Sequence, residues 1–381
     1  MCGAGLRITI ATGPLLPVPA VMGGAIPRMW LGLAKEFVAG GHRVNIVARA
    51  FEGQSREETQ GGVRISRRGG FNQSRVLSFD VLRNLPYSLI TALHLPPGDI
   101  VVTNDFWLPV VVPWFRRTAG AIVVNANRFP KGQFCLYKSA AAIVAASSVV
   151  ARAIVSQCPA LNAKTVVIPN PIDTSVFKPS REAPPGKGRT LLFVGRVHPE
   201  KGVHLLVEAF ARFSPTRPDW RLQIVGPTAE KQGGGGTDYE RDLRRRGSGL
   251  PIDWTGPIFD HLRLAETFRS AALFCYPSFA EKGEALPVAP LEAMASGLPV
   301  LTSDLECFRD YLDEGETGFV FDHRGSNGVA ALEQRLGELA ARDSDLARVG
   351  ALASTRAAAF SYGVVAQRFL GLFERLHGSL R

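Results

Sequence analysis

Short apolar runs alternate with stretches of helical spacing in the first half of the chain. LRITIA (6–11) is followed by apolar residues at helical spacing over 26–37, and then by a second apolar run, RVNIVAR (43–49). A strand, a helix and a strand in this order predict a βαβ unit. The Val- and Ile-rich composition typical of buried parallel strands recurs in four more runs, at 99–105, 121–127, 141–147 and 165–170.

The same alternation starts again after residue 189. TLLFVG (190–195) predicts a strand, residues 203–213 predict a helix with one apolar face, and RLQIVG (221–226) predicts another strand. Further strands are predicted at 273–278, 299–303 and 318–321, and the spacing from about 330 to 380 is helical. A four-glycine tract, Gly233 to Gly236, predicts a mobile surface loop.

A proline-rich segment separates the two halves. Residues 169–189 hold five prolines and several charges, a composition that suits an interdomain linker. We therefore predict two α/β domains with parallel sheets at 1–170 and 190–360, joined by a linker at 171–189. A chain of 381 residues with 46% hydrophobic residues can bury two cores, which excludes global disorder. We expect neither a transmembrane helix nor a signal peptide.

The net positive charge is confined to the first half. Residues 1–175 carry 18 Lys and Arg but eight Asp and Glu, whereas the remainder carries 26 of each, so the net +10 lies in the first half. Such a surface suits an anionic membrane, an anionic substrate or simple solvation. Nucleic acid is not expected, because no zinc finger, aromatic RNA-binding motif or helix-turn-helix is recognisable. The arginines cluster in the sequence as Arg64, Arg67, Arg68, Arg75, Arg83, Arg116 and Arg117.

The cysteines indicate a reducing compartment. They are odd in number and scattered, with no CxxC or Cys/His spacing of a zinc site. We therefore expect a cytoplasmic protein without a metal cofactor. The five positions are Cys2, Cys135, Cys158, Cys275 and Cys307.

Ligands of open α/β sheets bind at the carboxyl ends of the strands, so the residues there are the candidates for chemistry. In the first domain these include Gly23 and Gly24, which let a backbone approach a phosphate but also suit an ordinary turn. In the second domain, Arg196 ends a strand and Lys201 lies five residues on, near a helix start. Two cations beside a helix N-terminus suit a diphosphate, although a polar surface loop has the same composition.

The segment 281–300, EKGEALPVAPLEAMASGLPV, carries two glutamates eight positions apart. Pro290 predicts that Glu292 lies in the first turn of a helix that ends at Gly297, while Glu284 lies in the preceding loop. Carboxylates accept hydrogen bonds from vicinal sugar hydroxyls. A hydrolytic acid and base, or a glutamate that only favours the helix dipole, are the alternatives.

Taken together, these motifs resemble the family-4 retaining glycosyltransferases. The resemblance rests on VGRVHPEKG (194–202) followed by E-x7-E that runs into LEAMASGLPV (291–300). It extends to the Gly-Gly loop, the IPNPIDTSVFKP segment, TGPI (255–258) and the closing SYGVVAQRF (361–369). The family resemblance implies the GT-B fold, in which two Rossmann-like domains face a central cleft, with a last helix at about 361–381 that returns to the first domain.

The resemblance also implies roles for matching residues. Arg196 and Lys201 would bind the nucleotide diphosphate, Glu284 the sugar hydroxyls and Glu292 the ribose. The backbone near Ile258 would receive the base. The remaining donor contacts are implied for Gly23, Gly24, Gly195, Leu286, Pro287 and Val288.

This sequence departs from the family pattern in two places. Ala285-Leu286-Pro287 replaces a common Gly-Phe-Gly, and residues 123–133, VVNANRFPKGQ, lack the histidine that many members carry near the reacting carbon. Asn127, Arg128 or Lys131 could line that part of the first domain instead, and the last two also suit a basic surface turn.

The expected reaction is retaining, metal-independent transfer of a sugar from a UDP- or GDP-linked donor. The acceptor would be a sugar, a lipid-linked glycan or a small metabolite, with polysaccharide, lipopolysaccharide or glycolipid assembly as the setting. The basic first domain suggests peripheral binding to the inner face of an anionic membrane. The alternatives are a nucleotide-sugar epimerase or phosphorylase and an inactive nucleotide-sugar-binding partner subunit.

Overall fold

The computed structural model describes residues 5–74, 76–180, 189–325 and 327–379. Cys2, Arg75 and residues 181–188 of the predicted linker lie outside the described residues. Two compact units divide the chain: unit 1 comprises Met1–Pro171 and Tyr362–Arg381, and unit 2 comprises Ile172–Ser361. Residues 172–180, which were predicted to be linker, belong to unit 2, where Phe177 packs edge-to-face on Phe268.

Unit 1 is an α/β unit built on one eight-stranded sheet with the order β3-β4-β2-β1-β5-β6-β7-β8. The strands are β1 Arg7–Ala11, β2 Arg43–Arg49, β3 Glu57–Gln60, β4 Val63–Arg68, β5 Ile100–Thr103, β6 Ala121–Ala126, β7 Ala142–Ala145 and β8 Thr165–Val167. The helices are α1 Ala25–Ala39, α2 Leu77–Leu93, α3 Leu108–Phe115, α4 Ser148–Gln157 and α11 Tyr362–Gly378.

Unit 2 contains a six-stranded parallel sheet with the order β11-β10-β9-β12-β13-β14. The strands are β9 Thr190–Val194, β10 Arg221–Val225, β11 Ile252–Gly256, β12 Leu273–Tyr276, β13 Val300–Ser303 and β14 Phe319–Phe321. The helices are α5 Val203–Phe213, α6 Gly236–Arg246, α7 His261–Ser270, α8 Val288–Ala295, α9 Gly328–Ala340 and α10 Asp343–Ala357.

The predicted parallel strands are confirmed, because neighbouring strands pair in parallel throughout both sheets except at one edge. That edge strand, β3, pairs antiparallel with β4. The central pairs fix the register, with Ile8 opposite both Val44 and Ile100. The runs of β5, β6 and β7 are buried at every position, as expected for strands covered on both faces.

The last helix of the chain completes the core of unit 1. Helix α11 packs against α1, and its buried Phe369 and Phe373 make edge contacts with Trp30 and Phe37. The ring centroids of Phe37 and Phe373 are 5.7 Å apart. Residues from the two ends of the chain therefore share one apolar cluster beside the sheet.

Two predictions about unit 2 are wrong. The glycine tract 233–236 is not an open surface loop, because Gly234 and Gly236 are buried and the amide of Gly235 donates to the carbonyl of Val197. Glu292 is the fifth residue of α8, which begins at Val288, so Glu292 lies in the second turn of this helix and not in the first, where Pro290 lies. The predicted helix end is confirmed, with Gly297 at a φ of 76° and its amide bonded to the carbonyl of Met294.

Candidate active site

Each sheet has one point at which the strand order reverses. In unit 1 the strands leave β1 in opposite directions, to β2 and to β5, and in unit 2 they leave β9 toward β10 and β12. Such a reversal opens a crevice at the carboxyl ends of the strands, where open α/β sheets bind ligands. The loops after β1, β5, β9 and β12 therefore define one candidate region in each unit.

In unit 2 the loops after β9 and β12 bring together a buried ion pair. Lys201 and Glu284 are both buried, and the Lys201 Nζ lies 2.5 Å from Glu284 Oε1. The same oxygen accepts hydrogen bonds from the Ser278 hydroxyl at 2.9 Å and the Tyr276 hydroxyl at 3.1 Å. Within the residues that the structure describes, all hydrogen bonds to this carboxylate reach Oε1.

Tyr276 is held in its donor form by its surroundings. Burial and the neighbouring Glu284 carboxylate raise the pKa of Tyr276 well above its usual value. The phenol therefore stays protonated and keeps its hydrogen bond to Glu284 at neutral pH. Burial of a charged pair is costly unless its remaining atoms are hydrogen-bonded, and the two hydroxyls meet part of that requirement.

Glycine allows the backbone to place Lys201 at this position. Gly202 has a φ of 69°, and a Cβ there would collide with the carbonyl of Pro277, just after β12. This close approach brings the end of the HPEKG turn against the strand that leads to Ser278 and Glu284. The His198 side chain also accepts a hydrogen bond from the Glu200 amide at the start of the turn.

Arg196 lies beside the buried pair and is linked to it through Glu200. The Glu200 Oε1 is 2.6 Å from Arg196 Nη2 and 3.8 Å from Lys201 Nζ. Partial burial opposes ionisation of Glu200, but the charges of Lys201 and Arg196 outweigh it and lower the pKa of Glu200. Arg196 also donates to the carbonyl of Gly233 at 2.9 Å, so the glycine tract forms one wall around it.

The other predicted donor residues of unit 2 lie in the surrounding loops. Gly195 follows β9, and a Cβ there would lie 3.2 Å from the Phe193 ring. Ile258 is half-buried in the turn after β11. Leu286 and Pro287 are buried between Glu284 and α8, and Pro287 takes the N-cap position just before Val288. Glu292 is half-buried on α8.

In unit 1, two arginines hold the loop that carries Gly23 and Gly24. Arg49 donates to the carbonyl of Leu15 at 2.9 Å, and Arg67 donates to the carbonyl of Val18 at 2.7 Å. Both glycines have positive φ, 75° and 104°, and Gly24 is the N-cap of α1. Positive φ at both positions explains why glycine occurs there, and the predicted contact with a phosphate stays a prediction.

A cavity of about 260 Å³ lies within unit 1 beyond the carboxyl ends of β1, β5 and β6. Its wall includes buried Asp105, which accepts hydrogen bonds from Asn84 Nδ2 at 2.8 Å and from the Ser88 hydroxyl at 2.6 Å. Asp105 also accepts from two amides at the start of α3. Burial raises the pKa of Asp105, and these hydrogen bonds oppose that rise.

Asparagines form a hydrogen-bonded network beside this cavity. Asn127 Oδ1 accepts from Asn104 at 2.5 Å and from Asn125 at 2.6 Å, while Asn127 Nδ2 donates to Asn170 at 2.6 Å. The Trp30 indole donates to Asn104 at 2.5 Å. These bonds hold the amide of Asn127 in one orientation at the rim of the cavity.

The predicted basic residues of unit 1 differ in position. Arg128 lines the cavity beside Asn127. Lys131 is exposed, and its amide donates to the side chain of Gln133. The structure therefore brings Asn127 and Arg128 together at the cavity and does not place Lys131 on its lining.

Comparison with known proteins identifies the family to which this chain belongs. The profile described as "Glycosyltransferase Family 4" matches residues 23–176, and that described as "Glycosyl transferases group 1" matches residues 177–347. A phosphatidyl-myo-inositol mannosyltransferase from Mycobacterium leprae is 32% identical over 78% of this chain and 73% of its own length. This chain belongs to the family-4 glycosyltransferases.

Other relatives of this family-4 member align over shorter stretches. The phosphatidyl-myo-inositol mannosyltransferase of Mycolicibacterium smegmatis is 31% identical over 58% of this chain, and the match spans about half of that protein, 55%. A D-inositol 3-phosphate glycosyltransferase from Nocardioides is 26% identical over 66% of this chain and 57% of its own length.

Solved structures establish the fold of this family-4 chain. Sucrose-phosphate synthase from Thermosynechococcus elongatus superposes with a TM-score of 0.78 at 20% identity, over 98% of this chain and all of that one. HepE from Anabaena, solved with UDP and glucose, superposes with a TM-score of 0.73 at 17% identity, over 97% of this chain and all of that one. The predicted GT-B fold class, with two parallel-sheet α/β domains, is confirmed.

Several residues of this family-4 site were not singled out from the sequence. Glu200 lies inside the HPEKG motif, and Tyr276 and Ser278 lie at the end of the LFCYPS run. Asn104 and Asp105 end the predicted strand 99–105 in the same way. Each of them is a polar residue at the carboxyl end of a strand or next to a predicted cation, and that position is the signal that could have identified them.

The described ranges offer neither a cluster of metal-binding side chains nor a helix suited to cross a membrane. Over residues 5–74, 76–180, 189–325 and 327–379, no group of three His, Cys, Asp or Glu side chains is arranged to hold a metal ion. Over the same ranges, no helix combines the length and the apolarity needed to cross a bilayer.

Proposed function

We propose that this family-4 glycosyltransferase moves a sugar from a nucleoside diphosphate sugar to an acceptor hydroxyl with retention of configuration and without a metal ion. The observation that carries the proposal is the buried Lys201–Glu284 pair at the strand-order reversal of unit 2, with Arg196 beside it. One cation is fixed inside the protein, and a second lies at the surface within reach of the same acidic partner, Glu200.

The two cations suit the diphosphate of the donor. A diphosphate that approaches this loop would compete with Glu200 for Arg196, because Glu200 is an anion already bound to that guanidinium. When the bond between the sugar and the diphosphate breaks, negative charge grows on the leaving oxygen. Arg196 and Lys201 would stabilise that charge electrostatically, the task that a metal ion performs in other transferases.

Glu284 and Glu292 would bind hydroxyl groups of the donor. Because the donors found on Glu284 all contact Oε1, its other oxygen, Oε2, is the one we assign to a sugar hydroxyl. Glu292 on α8 would accept from the ribose, and the backbone around Leu286, Val288 and Ile258 would line the sugar and base. Gly23 and Gly24 of unit 1 stay predicted phosphate contacts, because their positive φ lets the backbone approach a ligand closely.

The transfer itself exchanges one carbon–oxygen bond for another. The bond from the anomeric carbon to the phosphate oxygen breaks, and a bond from the same carbon to the acceptor oxygen forms on the same face. The acceptor proton passes to the leaving phosphate oxygen, so the products are the glycoside and a nucleoside diphosphate.

We assign the acceptor to the cavity of unit 1 and place it in the class of glycolipids or other polyol lipids. The cavity offers amide and carboxylate groups for hydroxyls, and Arg128 lies in its wall for an anionic group. Two similar proteins are named as phosphatidyl-myo-inositol mannosyltransferases, which supports a lipid-linked polyol and a hexosyl donor.

An apolar stripe on unit 1 supports binding to an anionic membrane surface. Exposed apolar residues follow one face of α2 at helical spacing and continue onto the end of α3, which packs against α2. The stripe consists of Val76, Phe79, Leu82, Ile90, Leu93, Trp114 and Phe115. Arg83 stacks on Phe79 within it, and Arg116 and Arg117 follow its end. Apolar side chains with flanking arginines fit the boundary between lipid headgroups and acyl chains.

Ligand-induced thermal stabilisation tests the donor site. UDP, GDP, ADP and their sugar conjugates would be added to the whole chain in the presence of a chelator. One nucleotide should raise the melting temperature, since a ligand at a hundred times its Kd adds about 2.7 kcal/mol of stability. Arg196→Ala and Glu292→Ala should abolish the shift, whereas Arg212→Ala, with 55% of its side chain exposed against 44% for Arg196, should retain it.

The outcomes separate the alternatives. A shift accompanied by release of nucleoside diphosphate with a phosphatidylinositol acceptor, and a product with unchanged anomeric configuration by NMR, supports the full proposal. A shift without turnover on any acceptor indicates a nucleotide-sugar-binding partner subunit. The absence of a shift with every nucleotide contradicts the donor site itself.

Vesicle flotation tests the membrane surface separately. The protein should float with phosphatidylglycerol vesicles at low salt and lose binding as salt screens the arginines. Leu82→Glu should abolish flotation, while Leu262→Glu in unit 2, at a residue 64% exposed against 67% for Leu82, should leave it intact. Failure of the unaltered protein to float with anionic vesicles would contradict membrane binding without touching the donor proposal.

A further inference from the structure

Two cysteines of unit 1 lie close to each other at the end of α4. The Cys135 thiol donates to the carbonyl of Gln157 at 3.3 Å, and Cys158 is the next residue in the chain. A second bond fixes the same contact, because the Phe134 amide donates to the Gln157 side chain at 2.9 Å. The neighbouring Cys158 thiol, and to a smaller extent burial, raise the pKa of Cys135.

The two cysteines differ in access to solvent. Cys135 is exposed and Cys158 is buried. Such a pair has an accessible thiol that meets an oxidant first and a protected thiol that can attack the sulfur once it is modified. The other described cysteines, Cys275 and Cys307, are both buried, and burial raises the pKa of each.

The position of Cys135 connects this pair to the cavity. Cys135 belongs to the 3-10 turn Gln133–Tyr137, and Phe134 and Tyr137 on either side of it line the cavity. Tyr137 also donates to the carbonyl of Phe106, beside Asp105. A covalent bond from Cys135 to the end of α4 would therefore tether one wall of the cavity to the body of unit 1.

We propose that Cys135 and Cys158 form a reversible disulfide, which makes this turn a site of oxidative modification independent of the proposed transfer reaction. With a low-molecular-weight disulfide as oxidant, the Cys135 thiolate attacks one sulfur, forms a mixed disulfide and releases one thiol. Cys158 then loses its proton and attacks the Cys135 sulfur, which forms the internal bond and releases the second thiol. The protein loses two electrons and two protons, and the oxidant is reduced to two thiols.

The reaction should accelerate as the pH rises. The thiolate is the attacking species, and the interaction with Cys158 keeps the Cys135 thiol protonated to a higher pH than an isolated cysteine. A reducing compartment would keep both cysteines as thiols, and the disulfide would form when the surroundings become oxidising.

Peptide mapping after oxidation tests the proposal. The folded protein with Cys2→Ser would be incubated with oxidised glutathione, alkylated and digested with trypsin. Cleavage after Lys131, Lys138, Arg152 and Lys164 gives the peptides 132–138, which contains Cys135, and 153–164, which contains Cys158. We expect these two peptides joined by a bond that dithiothreitol breaks, with Cys275 and Cys307 still alkylated after denaturation.

Two variants sharpen the result. Cys158→Ser should stop the reaction at a mixed disulfide between glutathione and Cys135, and Cys135→Ser should leave Cys158 unmodified. If Cys158→Ser does not fold, the peptide map of the protein that retains Cys158 tests the proposal by itself. Peptides that carry only glutathione on Cys135, or no oxidation at either position, would overturn the proposal.

Discussion

Single side chains in unit 2 show what a buried charge requires from its neighbours. Lys201 and Glu284 are both removed from water, so each depends on the other and on the hydroxyls of Tyr276 and Ser278. The Coulomb attraction between the two buried charges is strong, but removing each charge from water is also costly. If one partner is lost, the other remains as a buried charge without compensation. The pair is therefore coupled in stability as well as in proposed function.

Lys201→Met should destabilise the protein by about 3–5 kcal/mol, because it leaves the Glu284 carboxylate buried without a cation. Urea unfolding followed by fluorescence measures this. Lys178→Met, at an exposed lysine of the same unit, should change stability by less than about 0.5 kcal/mol. The double variant Lys201→Met/Glu284→Gln should be more stable than Lys201→Met alone, and the opposite order would contradict the coupling.

Asp105 and Asp99 in unit 1 should respond to pH with opposite signs. Burial raises the pKa of Asp105, so the folded state holds its proton longer than the unfolded state and stability falls as the pH rises above about 4. Hydrogen bonds from Arg7 lower the pKa of Asp99 although burial opposes this, so that group contributes stability above about pH 4 which is lost on acidification.

Urea midpoints between about pH 2 and pH 7 measure both effects, because the Asp99 contribution changes mainly below about pH 4 and the Asp105 contribution above it. The stability advantage of the unaltered protein over Asp105→Asn should shrink as the pH rises, whereas its advantage over Asp99→Asn should grow. The sign of each slope is the test. Parallel slopes for the two variants would refute the assignment of opposite shifts.

At the scale of secondary-structure elements, the loop that leads into α1 depends on two glycines with different backbone conformations. Gly23 has a φ of 75°, and no atom lies within 4 Å of a Cβ placed there. Gly24 has a φ of 104° and a ψ of 132°, and a Cβ there would lie 2.8 Å from Leu16 Cδ1. Only the second position combines backbone strain with a steric clash.

Gly24→Ala should therefore cost more stability than Gly23→Ala. The left-handed conformation of Gly23 predicts a loss of about 1–2 kcal/mol, and Gly24 should exceed that value because Leu16 or the loop must also move. Chemical denaturation of the two single variants gives the comparison directly. Equal losses of stability, or a larger loss for Gly23→Ala, would show that the contact with Leu16 does not contribute to the cost.

The elements that the sequence predicted are those whose pattern is set by burial. β5, β6 and β7 are buried at every residue, so their Val- and Ile-rich runs were recognisable without tertiary information. β3, with the sequence EETQ, is almost entirely exposed at the sheet edge, and its partner β4, VRISRR, carries three arginines. β3 has no buried position, and β4 buries Ser66 and Arg67 besides Val63 and Ile65, so the pair leaves little apolar pattern to read.

The candidate site was predictable in part for a similar reason. Arg196, Lys201 and Glu284 follow strands that the apolar pattern locates, so position alone marks them. Their contacts were not predictable, because the bond from Lys201 to Glu284 joins residues 83 positions apart. The glycine tract was misread because its composition is that of a flexible loop, whereas its amides are bonded to Val197 and Thr228.

For the molecule as a whole, the path of the chain matters as much as its local structure. Unit 1 takes its strands from the first part of the sequence and its last helix from the end, and all of unit 2 lies between them. Phe373 of α11 is fully buried against Phe37 of α1. The stability of the first sheet therefore depends on residues that are far away in sequence.

Phe373→Ala should destabilise unit 1 by about 3–5 kcal/mol through the cavity that it leaves. Amide hydrogen exchange should show faster exchange in β1 and β2, with β9 and β12 unaffected. Leu352→Ala, at a partly exposed residue of unit 2, serves as the control and should leave β1 and β2 protected. Uniform acceleration in both sheets would contradict the placement of α11 in unit 1.

The shared cluster of α1 and α11 has a consequence during synthesis. A ribosome must add the 190 residues from Ile172 to Ser361 after unit 1 has its strands and before α11 begins. At typical elongation rates this interval lasts roughly 10–40 s. Throughout it the nascent chain presents the apolar face of α1 without its final cover, while unit 2 can already close around its own sheet. The domain made first is thus the domain finished last, and its exposure to chaperones and proteases is set by the length of the domain that follows it.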